Sequence, residues 1–115
     1  MIGEGWGRLI HVSSVVGMRG QVGAIAYAAS KTGLVGMSNV FAKEYGRFNI
    51  TSNVLVLGYF ETGLIETLKE EEKKKIISSI PSKSLGKVNN ITNAIDFLIK
   101  SEYVNGATIN IDGAI

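Results

Sequence analysis

Residues 8–14 read Arg8-Leu9-Ile10-His11-Val12-Ser13-Ser14, a short and largely apolar run with β-branched side chains at Ile10 and Val12 and glycines outside it at Gly7 and Gly17. This pattern predicts a buried β-strand. A second run of the same kind, Thr51 to Leu57, ends at Gly58, and a third, Thr108 to Asp112, alternates polar and apolar residues. No proline interrupts the stretch from about Ala24 to Phe48, where Leu34, Met37, Phe41 and Tyr45 recur at the spacing of one helical face. Further helices are expected from about Leu64 to Ser79 and from Ile91 to Lys100, the latter with Ile91, Ala94, Ile95 and Leu98 on one side. The stretches 17–23, 59–63 and 81–86 read as loops. Strands joined by crossovers this long must run parallel, in right-handed βαβ units. The expected fold class is α/β.

Composition narrows the chemistry. A chain of 115 residues and 12.3 kDa holds one domain. Twelve Lys and Arg against ten Asp and Glu leave a net charge of +2, too near neutral to imply a nucleic-acid partner. With no cysteine and a single histidine, His11, thiolate nucleophiles, disulfides and multi-histidine metal sites are excluded, and no metal site is expected. No run approaches the roughly 18 apolar residues of a membrane span. The start lacks the basic-then-apolar order of a secretory signal, so a cytoplasmic location is expected. The charge run Glu66 to Lys75 places Glu70, Glu71 and Glu72 ahead of Lys73, Lys74 and Lys75, the pairing of a solvated helix face. His11 reads as a packed or edge histidine, and Trp6 as a residue able to cover exposed core.

Two features carry chemistry. Tyr27 and Lys31 stand one helical turn apart on one face. A free phenol ionises near pH 10, and a cation held beside it favours the phenolate, which suits a group that exchanges a proton with a carbonyl oxygen. Taken alone the pair is weak: some Tyr-x-x-x-Lys is expected by chance about 0.3 times in a chain with this many tyrosines and lysines. A surface lysine beside a half-buried tyrosine is, on the pair alone, the better account of it. Ser14 lies at the carboxyl end of the first strand, the edge at which open α/β sheets bind ligands. The glycine-rich link to Tyr27 lets both hydroxyls face one pocket, although a serine there also serves as an ordinary helix cap.

Read in order, these residues resemble a known family. Gly7-Arg8-Leu9-Ile10, Ser13-Ser14-Val15-Val16-Gly17, Tyr27-Ala28-Ala29-Ser30-Lys31-Thr32-Gly33-Leu34, Asn49-Ile50-Thr51 with Asn53-Val54, and Gly106 to Gly113 resemble the short-chain dehydrogenase/reductases, most of all the 3-oxoacyl-(acyl carrier protein) reductase type of fatty acid biosynthesis. The resemblance runs over essentially the whole chain. It implies a partial Rossmann-like, three-layer α/β/α arrangement, the second half of a doubly wound parallel sheet with about three strands. It also implies hydride exchange between a nicotinamide cofactor, NADP or NAD, and a small carbonyl or alcohol substrate. By that resemblance Tyr27 is the general acid-base. Lys31 assists it and holds the nicotinamide ribose, and Ser14 positions the carbonyl. Gly58, the backbone at Phe60 and the Thr62 hydroxyl face the nicotinamide end. Leu57 stands where the family has a proline, a departure that bears on the backbone turn at 58–62.

The same resemblance implies that residues 1–115 are one catalytic, carboxyl-terminal half of such a domain. No Gly-x-Gly-x-x-Gly turn for the pyrophosphate is found, because Gly3, Gly5 and Gly7 are followed by Arg8. The expected partners are therefore a small-molecule substrate, further copies of the chain, or the amino-terminal nucleotide-binding half. Neither nucleic acid nor membrane is expected. The alternative expectation is a truncated, catalytically inactive remnant, or a non-enzymatic pairing partner of a full-length relative.

Overall fold

The hydroxyl of Ser14 ends the first strand and starts a helix. It accepts a hydrogen bond from the Val16 N–H at 3.2 Å, the bond of an N-cap residue in extended backbone. In the computed structural model, which describes residues 1–115, β1 (Gly7–Ser14) therefore passes directly into a short helix, α1 (Val15–Arg19). The expected loop at 17–23 is corrected accordingly: only its latter part is irregular. Gly17 serves a helix crossing rather than a turn, because a Cβ there would lie 3.1 Å from the Lys31 Cβ.

The long helix, α2, spans Ile25–Tyr45, and a 3₁₀ turn at Gly46–Phe48 replaces its expected last turn. Asn49, with φ of 57°, reverses the chain into β2 (Ile50–Leu57). The helix expected over 64–79 is two pieces, a 3₁₀ turn at Gly63–Thr67 and α3 (Glu70–Ser79), separated by extended backbone at Leu68 and Lys69. No side chain of α3 is buried, as its charge run suggested, and Lys73 pairs with Glu70 at 3.5 Å. The last helix, α4, spans Val88–Lys100, and β3 is Thr108–Ile111.

All three strands are parallel, in the order β1-β2-β3, with Val12 opposite Leu55 and Val54 opposite Thr108. This is the α/β, Rossmann-like partial sheet that the crossovers require. β2 lies in the middle and is buried from Ile50 through Val56, which explains why it reads as a continuous rather than alternating run. Alternation sorts its side chains. Ser52, Val54 and Val56 face α2, where Val54 and Val56 pack with Val15 and Val35. Thr51, Asn53 and Leu55 face the other way, the side on which Arg8 of β1 donates to the Ile99 carbonyl near the end of α4.

None of the stripe Leu34, Met37, Phe41 and Tyr45 is among the residues that α2 buries fully. The buried residues are the small ones, Ser38 and Ala42, and Met37 is exposed. Small side chains let the helix approach closely enough for the Ser38 hydroxyl to meet that of Ser52 at 2.9 Å. Ser52 in turn meets His11 Nε2 at 3.0 Å, and the imidazole stacks on Phe41. His11 is thus a packed histidine. Trp6 does not cover core: it is exposed, with the Arg8 guanidinium over its ring. On α4 the expected side is correct, with Leu98 sealed.

Two asparagines bind β2 to the loop before β3. The Asn53 amide donates to Val104 O at 2.9 Å and accepts from Ala107 N–H at 2.9 Å. Asn105 accepts from Ser52 N–H at 2.8 Å and donates to Ala42 O at 3.2 Å. Asn53→Ala leaves two backbone groups unpaired at a buried position and is expected to cost about 2 kcal/mol or more in a urea titration. Asn105→Ala, at an exposed position, should cost about 1 kcal/mol.

Candidate active site

The carboxyl ends of β1 and β2 open onto a cavity of about 250 Å³. Ser14, at the end of β1, is fixed by its cap bond; the oxygen accepts from Val16, so its own proton remains free to donate. Tyr27 and Lys31 project from the first half of α2, which is pinned to β1 where the buried Ser13 hydroxyl donates to Lys31 O at 3.0 Å. The phenol is 45% exposed and its hydroxyl bonds to nothing else in the chain. The Lys31 ammonium lies 5.8 Å from the centre of the Tyr27 ring and donates to the Val12 carbonyl at 3.2 Å.

After β2 the backbone of 58–62 forms the facing wall. An added Cβ on Gly58 would lie 2.7 Å from Asp112 Cα, so only glycine lets the end of β2 pass this close to the end of β3. Gly58→Ala is therefore expected to displace the chain after β3 and destabilise the fold by about 1–3 kcal/mol, read from its urea midpoint. The loop is then held without a proline: Gly86 N–H donates to Tyr59 O at 2.9 Å and Glu61 N–H to Gly86 O at 3.0 Å. These bonds supply from tertiary structure the order that Leu57 does not. The backbone of Phe60 makes no hydrogen bond within the chain, and neither does the Thr62 hydroxyl.

All six residues singled out from the sequence, Ser14, Tyr27, Lys31, Gly58, Phe60 and Thr62, line this one cavity. Two others adjoin it. One of about 340 Å³ runs toward Asn110 and Asp112, and one of about 330 Å³ lies between α1, α3 and Ile115. Tyr59 lines all three. Sequence reasoning missed its place at this junction; its position beside Gly58 was the available signal, but nothing in the spacing of residues shows where three cavities meet.

A family model described as enoyl-(acyl carrier protein) reductase matches residues 1–114. The chain belongs to the short-chain dehydrogenase/reductase family. Among curated proteins it is similar to nodulation protein G of Azospirillum brasilense, at 36% identity over all of this chain and 48% of that protein. It is likewise similar to the 3-oxoacyl-[acyl-carrier-protein] reductase FabG of Haemophilus influenzae, at 37% identity, again over the whole chain and 48% of the relative. The 3-oxoacyl-[acyl-carrier-protein] reductase of Rattus norvegicus is 38% identical over the whole chain and 47% of its own length. The chain spans about half the length of the curated relatives it matches. No helix in it is long and apolar enough to cross a membrane.

Proposed function

We propose that residues 1–115 carry the catalytic half of an NAD(P)(H)-dependent oxidoreductase that reduces a 3-oxoacyl thioester or a related carbonyl, or oxidises the corresponding alcohol. The observation that supports this reading most directly is the gathering of Ser14, Tyr27 and Lys31 on one cavity with Gly58, Phe60 and Thr62. The residues suit the nicotinamide end of the cofactor. A phenol, a threonine hydroxyl and the backbone N–H of Phe60 all lack partners in the chain, and together they offer donors and acceptors to a carboxamide and ribose hydroxyls.

The bound nicotinamide supplies or accepts hydride at the carbonyl carbon. The chain's own groups manage the oxygen. Ser14, held by its cap bond, donates its free proton as a hydrogen bond to the carbonyl oxygen and fixes its direction. Tyr27 gives its phenolic proton to that oxygen as negative charge develops there, and recovers it in the reverse direction. The Lys31 ammonium, one turn along α2, stabilises the phenolate left behind. Half-exposure of the Tyr27 ring gives substrate access without unfolding any element.

Nicotinamide mononucleotide tests the fit apart from turnover. Its titration into the isotope-labelled chain should shift the resonances of Ser14, Tyr27, Phe60 and Thr62 together. If none of them moved up to about 10 mM ligand, weaker than any functional subsite, the cofactor reading would be wrong.

A further inference from the structure

We infer that Ser13 and Gly17 are positioning residues, which together set where the Ser14 hydroxyl stands against the Tyr27–Lys31 turn of α2. The end of β1 supplies two adjacent hydroxyls with different tasks. Successive side chains of a strand diverge. Ser14 lines the cavity, whereas Ser13 is 2% exposed and donates to Lys31 O at 3.0 Å. Four residues on, Gly17 lies against the same turn: a Cβ there would stand 3.1 Å from Lys31 Cβ and 3.6 Å from Ala28 Cα. The segment 13–17 therefore grips α2 at both of its ends and carries Ser14 between the two grips.

The Ser13 bond is not one that the helix needs. Lys31 lies inside α2, where the helical pattern already supplies its carbonyl with the Val35 N–H. A carbonyl oxygen has a second lone pair, and the Ser13 hydroxyl takes it. The bond is thus a tether from strand to helix, and losing it orphans no backbone group. Val15, between the two grips, anchors the segment to β2 by packing with Val54 and Val56. The Ser14 oxygen is held in turn by the Val16 N–H. Each of these contacts lies within β1, α1, α2 and β2, so these four elements build the spacing of hydroxyl, phenol and ammonium among themselves.

Such placement has a large effect on rate, because a displacement of about 1 Å among reacting groups costs up to about 100-fold. Without the Ser13 tether the turn is free to ride away from the end of β1. A methyl group at Gly17 pushes the same turn outward. Either change separates the Tyr27 phenol and the Lys31 ammonium from the Ser14 hydroxyl without removing any of the three. What the grips do for turnover rests on the function proposed above. That they fix the turn does not, so an inactive enzyme and a turn indifferent to Ser13 are separate results.

Ser13→Ala, Ser13→Thr and Gly17→Ala test this, with Ser38→Ala as the control. Ser38 is buried too, but its hydroxyl bonds to Ser52 and not to the Tyr27–Lys31 turn. In the 115-residue chain, Ser13→Ala should displace the Tyr27 ring and Lys31 Cε resonances. Ser13→Thr, which keeps the hydroxyl, should return them, and Ser38→Ala should leave them in place. Kinetics need a full-length hybrid, with residues 1–115 in place of the matched stretch of the Haemophilus influenzae relative. There Ser13→Ala should lower kcat about 10- to 100-fold and leave KM within about threefold. Gly17→Ala should do likewise, although alanine suits a helix better than glycine. The double variant should lose less than the product of the two single losses, because both act on one turn. Tyr27 and Lys31 resonances that Ser13→Ala leaves unmoved overturn the proposal, whatever the hybrid does. So does an unaltered kcat in Ser13→Ala where Tyr27→Phe abolishes turnover, or a Ser38→Ala hybrid that loses as much. A hybrid in which Tyr27→Phe stays fully active fails the functional reading and leaves the resonances to decide this one.

Discussion

Tyr27→Phe is expected to lower NADPH-dependent reduction of a 3-oxoacyl thioester by about 10²- to 10⁴-fold, the usual worth of a positioned acid-base group. The measurement is made in a hybrid in which residues 1–115 replace the matched stretch of the Haemophilus influenzae relative, so that a complete cofactor site is present. The substitution removes one oxygen. That oxygen makes no hydrogen bond in the chain and its ring is half exposed, so the fold should be unaffected and the urea midpoint unchanged. The loss should fall on kcat rather than KM, because the proton moves in the transition state and contributes little to substrate binding. Activity within about tenfold of the unaltered hybrid would remove Tyr27 from the reaction.

Leu55→Ala is expected to destabilise the chain by about 3 kcal/mol, the typical loss of a buried leucine with incomplete collapse of the space it leaves. Leu55 has no exposed surface and stands at the centre of β2, the one strand with neighbours on both sides. A domain of this size has only about 5–15 kcal/mol in total, so the variant should lose a large part of its stability. With a urea slope of about 1.5 kcal/mol per molar, the midpoint should fall by about 2 M. A fall smaller than about 0.5 M would mean that the strand repacks and that β2 is not the rigid centre of the sheet.

The strands were legible because their signal is local. Apolar β-branched runs bounded by glycine placed all three within a residue or two of where they lie, and the long connections required them to be parallel. Helix ends were less legible. Ser14 as a cap, the 3₁₀ turn at Gly46–Phe48 and the break before α3 depend on single hydrogen bonds that periodicity does not register. The sheet-facing side of α2 was not legible for a related reason. Its largest apolar residues recur at helical spacing, but close approach to β2 selects the small ones, Ser38 and Ala42, and the hydroxyl contact to Ser52 follows from that approach.

What the sequence determined by itself was the set of groups: a serine at a strand end, a phenol and an amine one turn apart, and a glycine, a backbone segment and a threonine after the next strand. Spacing along one helix fixes the second and third relative to each other, because the geometry of a helical turn is the same in any protein. Only the tertiary structure decided that all six meet, since their approach depends on the parallel register of β1 and β2 and on Ser13 anchoring α2. It alone showed Tyr59 at the junction of three cavities and the Lys31 ammonium on the Val12 carbonyl. Those are contacts between residues far apart in the chain, formed by packing and ladder pairing, and no local pattern encodes them.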